Sequence, residues 1–387
     1  MAQQSAGNNA SVVWGGAANA ADTTTAARRN LYLKLFSGEM FKGFQRNTIA
    51  RDLVTKRTLK NGRSLQFIFT GRTGSEFHTP GKSILGNDEK TPPVAEVTIE
   101  CDDLLISSAF VYELDEVLSH YDLRGEISRK IGYALAENYD RRIFRAVSNA
   151  ARLAHPVAGA SNNWEEPGGT QIRVGNAGTP ATSEAWDASS IVNAFYDAAA
   201  ALDEKGVGGE GRVAVISPRQ YYELIQNQST NALINRDEQG TALQTGNGII
   251  SIAGIKIYKS MNIPFFGKYG VKYGETNGPA DPGNKGDFVE VATPAMDAST
   301  TPDGQKTVNE YGAAAEFNNS CGLIFQKEAV GCVEAIGPQV QVTSGDVSVV
   351  YQGDVILGRL AMGAKPLNPA AAVELFAGTN TKPAAFA

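Results

Sequence analysis

The chain has 387 residues, of which 42% are hydrophobic and 20% are charged, and its formal net charge is −6. This composition is typical of a soluble globular protein with two or more lobes, and no run of about 18 apolar residues predicts a membrane span. Three cysteines without metal-ligand spacing argue against a disulfide framework, and three histidines are few for a metal or acid–base enzyme. Residues 1–30 lack a basic segment followed by an apolar core, so no secretory signal is expected.

The charge is unevenly distributed along the chain. From Arg28 to Arg72 there are 11 Lys or Arg residues against 2 acidic ones, a balance of +9, whereas from Val271 onward 13 acidic residues outnumber 7 basic ones. A basic arm of this kind can meet nucleic acid through unspecific phosphate contacts, or an acidic patch on a neighbouring copy. A solvated surface is the plainer interpretation of any single residue. The basic-arm residues are Arg28, Arg29, Lys34, Lys42 and Arg46.

Residues 1–27 consist mostly of Ala, Asn, Gly, Ser and Thr. Such a segment cannot offset its ordering entropy alone, and we predict that it is flexible or ordered only by a partner. The next segment, Arg28–Arg46, is predicted to be helical because Leu33, Phe36 and Met40 share one face. With no core of its own, this helix must dock on the rest of the chain or on a neighbouring subunit.

Residues 56–100 are predicted to form an extended β-hairpin arm. Alternate residues on its two strands are apolar, which predicts one buried face: Leu65, Phe67, Phe69, Ala95, Val97 and Ile99. The loop 71–93 is rich in Gly and Pro, and its length of about 23 residues favours a functional role over a simple connection. A two-stranded arm is marginally stable alone in water, so we expect it to lie against another copy of the chain.

Five residues of the arm are predicted to contact a neighbouring subunit: Arg63, Arg72, Glu76, His78 and Lys82. The carboxylate of Glu76 and the imidazole of His78 could also form a proton-transfer pair. However, no nucleophile signature lies near them, and a loop tip is poorly suited to preorganised chemistry. An inter-subunit contact is therefore the favoured interpretation.

An apolar stripe with a spacing of four residues predicts one continuous helix, the spine helix, over residues 122–154. Asp122 suits its N-cap, and Pro156 ends it. A helix of this length would measure roughly 45 Å, which is typical of a rigid rod under a sheet rather than of a compact enzyme. Gly132 inside the helix suggests that a neighbouring backbone passes close to it. The predicted packing residues are Ile127, Ile131, Leu135, Tyr139, Ile143 and Val147.

From Glu184 onward the pattern predicts an α/β lobe. Its predicted elements are a helix over Ser189–Lys205, a buried strand over Val213–Ile216, a helix after Pro218, and a strand–turn–strand unit around Gly254. Further strands are predicted over 321–342 and 352–375.

The lobe contains a glycine-rich segment, Gly206–Arg212, but this segment precedes a strand. A phosphate-binding loop instead follows a strand and opens a helix, so we predict a simple turn and no nucleotide site. Cys321 and Cys332 are predicted to be small core residues. The acidic pairs of the sequence lack the spacing of a calcium loop, and no metal or other cofactor is expected.

Five segments stand out in their order along the chain: LYLKLFSGEMFKGFQRNT (31–48), SLQFIFTGRT (64–73), HYDLRGEISRKIGYALA (120–136), GIISIAGIKIYKSMNIP (248–264) and LAMGAKPLNPAAAV (360–373). In this order they resemble the major capsid proteins of T-seven-like podoviruses, short-tailed phages that include cyanophages. Residues 157–185 and 270–315 do not match the pattern. The resemblance implies an α+β fold of the Hong Kong 97 type, with a long spine helix, an extended β-hairpin loop, and peripheral and axial domains.

The resemblance also implies a division of the chain into five parts. These are an N-terminal arm (1–60), an extended loop (61–97), a peripheral domain with the spine helix (98–180), an axial domain (181–325), and the return strands of the peripheral domain with the C-terminus (326–387).

The function implied is that of a major capsid protein, a structural subunit and not an enzyme. Copies of it would assemble as hexamers and pentamers into an icosahedral shell that encloses phage double-stranded DNA. The implied partners are copies of the chain, a scaffolding protein, a portal and unspecifically bound DNA, with no membrane, and the implied location is the virion, assembled in the host cytoplasm. Two alternatives are an encapsulin-like compartment shell and a two-lobe enzyme with a deep pocket in the 180–325 lobe.

Overall fold

The computed structural model describes residues 49–73, 75, 77–81, 83, 92–101, 104–114, 123–157, 166–175, 184–185, 187–226, 251–260, 262–263, 320–342, 351–378 and 382–385. These residues belong to two compact units. Unit 1 contains described residues of Cys101–Asn138 and Glu334–Met362, and unit 2 contains those of Asn47–Glu100, Tyr139–Val333 and Gly363–Ala387. The predicted helix over 28–46 and the basic-arm residues lie outside the described residues.

The described chain contains four α-helices and twelve strands. The helices are α1 (Ala50–Leu53), α2 (Leu123–Arg152), α3 (Ala188–Glu204) and α4 (Pro218–Gln226). The strands are β1 (Thr55–Thr58), β2 (Ser64–Thr70), β3 (Val94–Glu100), β4 (Leu104–Tyr112), β5 (Thr170–Arg173), β6 (Arg212–Ile216), β7 (Ser251–Ile252), β8 (Ile255–Lys259), β9 (Ser320–Gln326), β10 (Val330–Val342), β11 (Gly353–Pro366) and β12 (Ala372–Phe376). None of the described helices is both long and apolar enough to cross a membrane.

Helix α2 is the spine of the chain, with 30 residues from Leu123 to Arg152 where the sequence predicts 122–154. The six predicted stripe residues are each no more than 8% exposed, because the four-residue spacing keeps them on one face. The backbone N–H of Leu153 still donates to the carbonyl oxygen of Asn149 at 3.1 Å. Asp122 lies outside the described residues, so its N-cap role stays a prediction.

In unit 1, α2 packs on a sheet through Ile127, Ile131 and Leu135, which form a core with Val111 and Ile356. Strands β11 and β4 of this sheet are antiparallel, with a register from Gly353 opposite Tyr112 to Ala361 opposite Leu104. Within unit 1 the strand order of this sheet is β10-β11-β4.

The close backbone approach predicted at Gly132 is not found among the described residues of this chain. No described atom lies within 4 Å of the position that a Cβ would take there, whereas a Cβ on Gly358 of β11 would lie 2.4 Å from Cγ2 of Ile131. The glycine that lets helix and sheet approach each other is therefore on the strand.

Unit 2 is built around a six-stranded sheet with the order β5-β12-β9-β6-β8-β7. All five residues of β6 are buried, and β6 is parallel to β8 and antiparallel to β9. Helix α3 packs on the sheet through Ile191, Phe195 and Leu202. Asp187 caps this helix by accepting from the Ser190 backbone N–H at 2.9 Å.

Two strands at one edge of this sheet come from segments that are far apart in the sequence. Strand β12 pairs antiparallel with β9 and parallel with β5. The resemblance assigns both β5 and β12 to the peripheral domain, so the sheet of unit 2 extends beyond residues 181–325. The division into peripheral and axial domains stays a proposal.

Candidate assembly elements

The predicted hairpin arm is present as β2 and β3, which form a two-stranded antiparallel sheet. Leu65 lies opposite Ile99, Phe67 opposite Val97, and Phe69 opposite Ala95. These residues form the more buried face, as their period of two requires.

The opposite face of the hairpin is open and partly apolar. Ile68 is 72% exposed and Val94 is 65% exposed. Phe77, in the loop beyond the strands, is fully exposed. Large apolar side chains that are exposed together mark a surface suited to a partner.

The described residues among the five predicted inter-subunit contacts have different surroundings. Arg63 forms an ion pair with Glu100 of the same hairpin at 3.7 Å, and both side chains are exposed. Arg72 is engaged at the root of the hairpin. His78 is exposed, which leaves it open to a partner. Glu76 and Lys82 lie outside the described residues.

The root of the hairpin is fixed by close packing on the segment that follows α2. The backbone N–H of Gly71 donates to the carbonyl oxygen of Pro93 at 2.7 Å. A Cβ on Gly71 would lie 2.7 Å from Cγ1 of Val157 and 2.8 Å from Cγ of Pro93. The ring of Phe69 meets the ring of His155 edge to face, with 6.0 Å between the centroids. Residue 71 therefore has no room for a side chain.

The side chain of Arg72 stabilises the root of the hairpin through two hydrogen bonds. Its Nε donates to Oε2 of Glu166 at 3.1 Å, and its Nη2 donates to the carbonyl oxygen of Lys205 at 3.3 Å. The Nζ of Lys205 donates in turn to the carbonyl oxygen of Gly168 and to Oγ1 of Thr170. Burial lowers the pKa of Lys205 to about 8. Sequence analysis missed these partners of Arg72 because they lie 94 and 133 positions away.

The substitution Gly71→Ala is expected to loosen the hairpin from its root. Overpacking of this kind costs roughly 1–3 kcal/mol, so the amides of β2 and β3 should exchange with deuterium faster. Gly209→Ala is a matched control, because no described atom lies within 4 Å of a Cβ there. Unchanged exchange in Gly71→Ala would contradict the close packing.

His155 makes the same root sensitive to acid. Its Nδ1 accepts from the Val157 backbone N–H at 3.2 Å, so this nitrogen carries no proton. Burial lowers the pKa of His155, and the negative charge of Glu166 partly opposes this shift. Between the lowered pKa and the ordinary value of about 6.5, the unfolded chain binds more protons than the folded one. The stability from neutral His155 is thus present above about pH 6.5 and is lost as the pH falls through the lowered value.

Exchange of the β2 and β3 amides is accordingly expected to accelerate between pH 7.5 and 5, after correction for intrinsic exchange. His155→Asn is the control, because its amide oxygen can accept from Val157 and does not titrate. The variant should lose the pH-dependent part of the change. An identical pH profile in both proteins would show that His155 is not responsible.

A buried ion pair stabilises the C-terminal end of α2. Nε and Nη2 of Arg152 donate to the two carboxylate oxygens of Glu374 at 2.7 and 2.6 Å, and both side chains are 0% exposed. Ser320 and Gln171 donate to the same carboxylate at 2.7 and 3.2 Å. Arg152 and Gln171 also donate to the carbonyl oxygens of Ala384 and Pro383 at 3.0 and 2.8 Å.

The described part of the chain forms neither of two kinds of site, a metal-ligand cluster or a cysteine pair. It contains no group of three or more His, Cys, Asp or Glu residues that could hold a metal. Cys321 and Cys332 are buried and form no disulfide. Burial and the neighbouring Glu374 raise the pKa of Cys321, which keeps it a thiol.

A sequence profile of the family described as "Gp10A-like: Major capsid protein" matches residues 66–309. The major capsid protein of Escherichia phage T7 is 25% identical over 351 residues, which cover 88% of this chain and 90% of the relative. The major capsid protein of Enterobacteria phage T3 is 24% identical over 359 residues, which cover 90% and 92% of the two chains.

Solved phage capsids have the same fold. The capsid structure of the cyanophage P-SCSP1u matches with a TM-score of 0.67 and 29% identity, over 93% of this chain and 97% of that chain. The mature capsid of bacteriophage PhiM1 matches with a TM-score of 0.60 and 16% identity, over 90% and 93%. These likenesses confirm the predicted α+β fold of the Hong Kong 97 type. With the profile match over more than half of its length, the chain belongs to the Gp10A-like family of phage major capsid proteins.

Proposed function

We propose that copies of this chain assemble as hexamers and pentamers into an icosahedral shell that encloses phage double-stranded DNA. Membership of the major capsid family carries this proposal. The proposed partners are further copies of the chain, a scaffolding protein, a portal and packaged DNA, and the proposed place of assembly is the host cytoplasm. The chain would have no enzymatic activity. An encapsulin-like compartment shell has no specific observation in its favour.

The hairpin arm is the proposed contact between neighbouring copies. Its outer face exposes Ile68 and Val94, which a folded subunit would bury only against a partner. In unit 1, β4 exposes Leu104 and Ile106 on the face opposite the α2 core. We propose that the outer face of one hairpin lies on the exposed face of β4 in a neighbouring copy.

The proposed roles of the charged residues follow from this arrangement. Arg63 and His78 are exposed on the arm and would lie at its inter-subunit edge, together with Glu76 and Lys82. Arg72 would act indirectly, since its guanidinium braces the hairpin root. The basic arm would reduce repulsion near packaged DNA or bind an acidic scaffolding protein. The balance of +9 over Arg28–Arg72 supports either partner.

A surface variant of the hairpin tests the contact. Ile68→Gln with Val94→Thr removes apolar area without adding charge, and it is expected to lower the yield of shells at least tenfold in sedimentation, with an unchanged circular dichroism spectrum. Gln66→Ala, on the same exposed face, should assemble normally. Normal shell yield from the double variant would remove the hairpin face from the contact.

A further inference from the structure

Strand β4 lies at the edge of the unit 1 sheet, since it pairs with β11 on one side and no described strand pairs with it on the other. Its nine residues, LLISSAFVY, include no charged residue, proline or glycine. Folded proteins usually protect a free edge with charges, prolines or short strands, because its open backbone groups can pair with another chain. The edges of the six-stranded sheet follow this rule: β7 has two residues, and β5, with four, includes Arg173.

The register of β4 on β11 identifies the backbone groups that point to the open edge. The backbone N–H of Glu113, the residue after β4, donates to the carbonyl oxygen of Gln352, the residue before β11, at 3.2 Å. In an antiparallel pair, residues that bond one neighbour alternate with residues whose groups point away from it. The odd-numbered residues of β4 therefore bond β11. The N–H and C=O groups of the even-numbered ones point to the open edge: Leu104, Ile106, Ser108, Phe110 and Tyr112.

The even-numbered side chains of β4 lie on the face opposite α2, because the odd-numbered Val111 lies in the core that α2 forms with the sheet. Leu104 and Ile106 are 46% and 50% exposed on this outer face. The rings of Phe110 and Tyr112 meet edge to face, with 4.7 Å between their centroids. The first half of the strand thus exposes aliphatic side chains, and the second half carries a pair of aromatic rings.

We propose that β4 pairs edge to edge, in antiparallel orientation, with β4 of a second copy of this chain, about a two-fold axis at Ser108. In such a symmetric contact both copies use the same surface. The register sets Leu104 of one copy opposite Tyr112 of the other. It also sets Ile106 opposite Phe110, so each exposed aliphatic side chain packs beside an aromatic one. Cross-strand pairs of this kind stabilise a sheet.

The charge pattern favours a second copy as the partner. An uncharged strand lies opposite itself without repulsion, whereas a charged partner strand would find no opposite charge on β4. In the sequence, Asp103 precedes this stretch and Glu113 follows it, and like charges that face each other are destabilising. The paired segment should therefore end with these nine residues. A register shifted by two would set Glu113 opposite the apolar Leu105.

The edge pairing rests on the proposed shell function, which brings many copies of β4 together. It uses the edge of β4, whereas the proposed contact with the hairpin uses its outer face, so one subunit can form both. The pairing would continue the unit 1 sheet from one copy into the next.

Single cysteines on β4 test the two-fold register in shells of the full-length protein. Residues that form a hydrogen-bonded antiparallel pair have Cα atoms about 5.5 Å apart, which a disulfide can span. Ser108→Cys should therefore give disulfide-linked dimers after oxidation, measured on non-reducing gels. Leu104→Cys is the matched control on the same edge, because the two copies of residue 104 would lie roughly 27 Å apart. It should give no more dimer than the unmodified chain, which contains Cys101.

Ser108→Pro tests the backbone bonds independently of the disulfide. Proline removes the N–H that points to the open edge and leaves the bonds to β11 in place. The yield of shells in sedimentation should fall at least tenfold, with an unchanged circular dichroism spectrum. Ser108→Ala is the control, because it also loses the hydroxyl but keeps the N–H, and it should assemble normally.

Three outcomes would overturn the edge pairing: shells of Ser108→Cys without the dimer, equal dimer formation in Leu104→Cys, or a normal yield of shells from Ser108→Pro. If Ser108→Pro does not fold, the two cysteine variants decide alone. Failure of the unmodified protein to form shells would instead refute the proposed function. The cysteine variants would then be oxidised as concentrated unassembled protein, where absence of the residue 108 dimer overturns the pairing.

Discussion

Replacing Ile131 and Leu135 together by aspartate is expected to abolish soluble folding. Both side chains are buried in the core that α2 forms with Val111 and Ile356. Each new carboxylate would be buried without a partner, at an effective cost of several kcal/mol per ion. A native domain has only about 5–15 kcal/mol of stability in total, so the two substitutions should exceed it. The measurement is the soluble fraction after expression, with circular dichroism of any soluble protein.

In the control for this variant, each aspartate is placed one residue earlier in the helix. Lys130 and Ala134 are exposed on the same helix, so Lys130→Asp with Ala134→Asp adds two carboxylates that stay in water. This control should remain soluble. A soluble Ile131→Asp, Leu135→Asp protein with a native spectrum would contradict the assignment of this helix as the spine.

Breaking the Arg152–Glu374 pair has the second large expected effect. Arg152→Met leaves the carboxylate of Glu374 buried, and the donors that remain to it among the described residues, Ser320 and Gln171, are neutral. Removing one partner of a buried pair costs about 3–5 kcal/mol. Because one kcal/mol shifts the melting temperature of a large domain by roughly 2–4 °C, we expect Tm to fall by roughly 6–20 °C. Thermal unfolding monitored by circular dichroism measures the shift.

Two further variants separate the ion pair from general packing. Arg152→Met with Glu374→Leu removes both charges, so it should recover part of the lost Tm. Arg63→Met breaks the exposed pair with Glu100 and should change the stability by less than about 1 kcal/mol. Equal losses of Tm in the single and double variants at residues 152 and 374 would show that an unpaired charge is not the cause.

Local periodicity explains which parts of the fold were predictable. The four-residue spacing from Ile127 to Val147 predicts α2, and the alternation of apolar residues from Leu65 to Phe69 predicts β2. Both patterns depend only on residues that are close together in the sequence. The apolar face that each pattern defines is also the face that is more buried in the folded structure. The exposed outer face of the hairpin follows from the same alternation.

Long-range partners could not be predicted in this way. The sequence contains Arg152 at the end of a helix and Glu374 in an apolar strand, but nothing local pairs residues 222 positions apart. The same holds for the addition of β5 and β12 to the edge of the six-stranded sheet. A charged residue inside an otherwise apolar stretch, as at Glu374, is the signal that could have indicated a buried pair.

The resemblance to phage capsid proteins predicted the fold type and the family, which periodicity alone does not predict. Five matching segments in the correct order indicated the fold and family that the profile and the solved capsids confirm. The charged contacts of the arm stay proposals, because a contact with a second copy depends on a surface that the sequence of one copy does not locate.

Electron microscopy of the purified full-length protein, expressed with and without the scaffolding protein of its phage, tests the central claim most directly. We predict closed round shells of uniform size, or capsomers that close into shells when scaffolding protein is present. Small particles of one size under both conditions would contradict assembly into a shell.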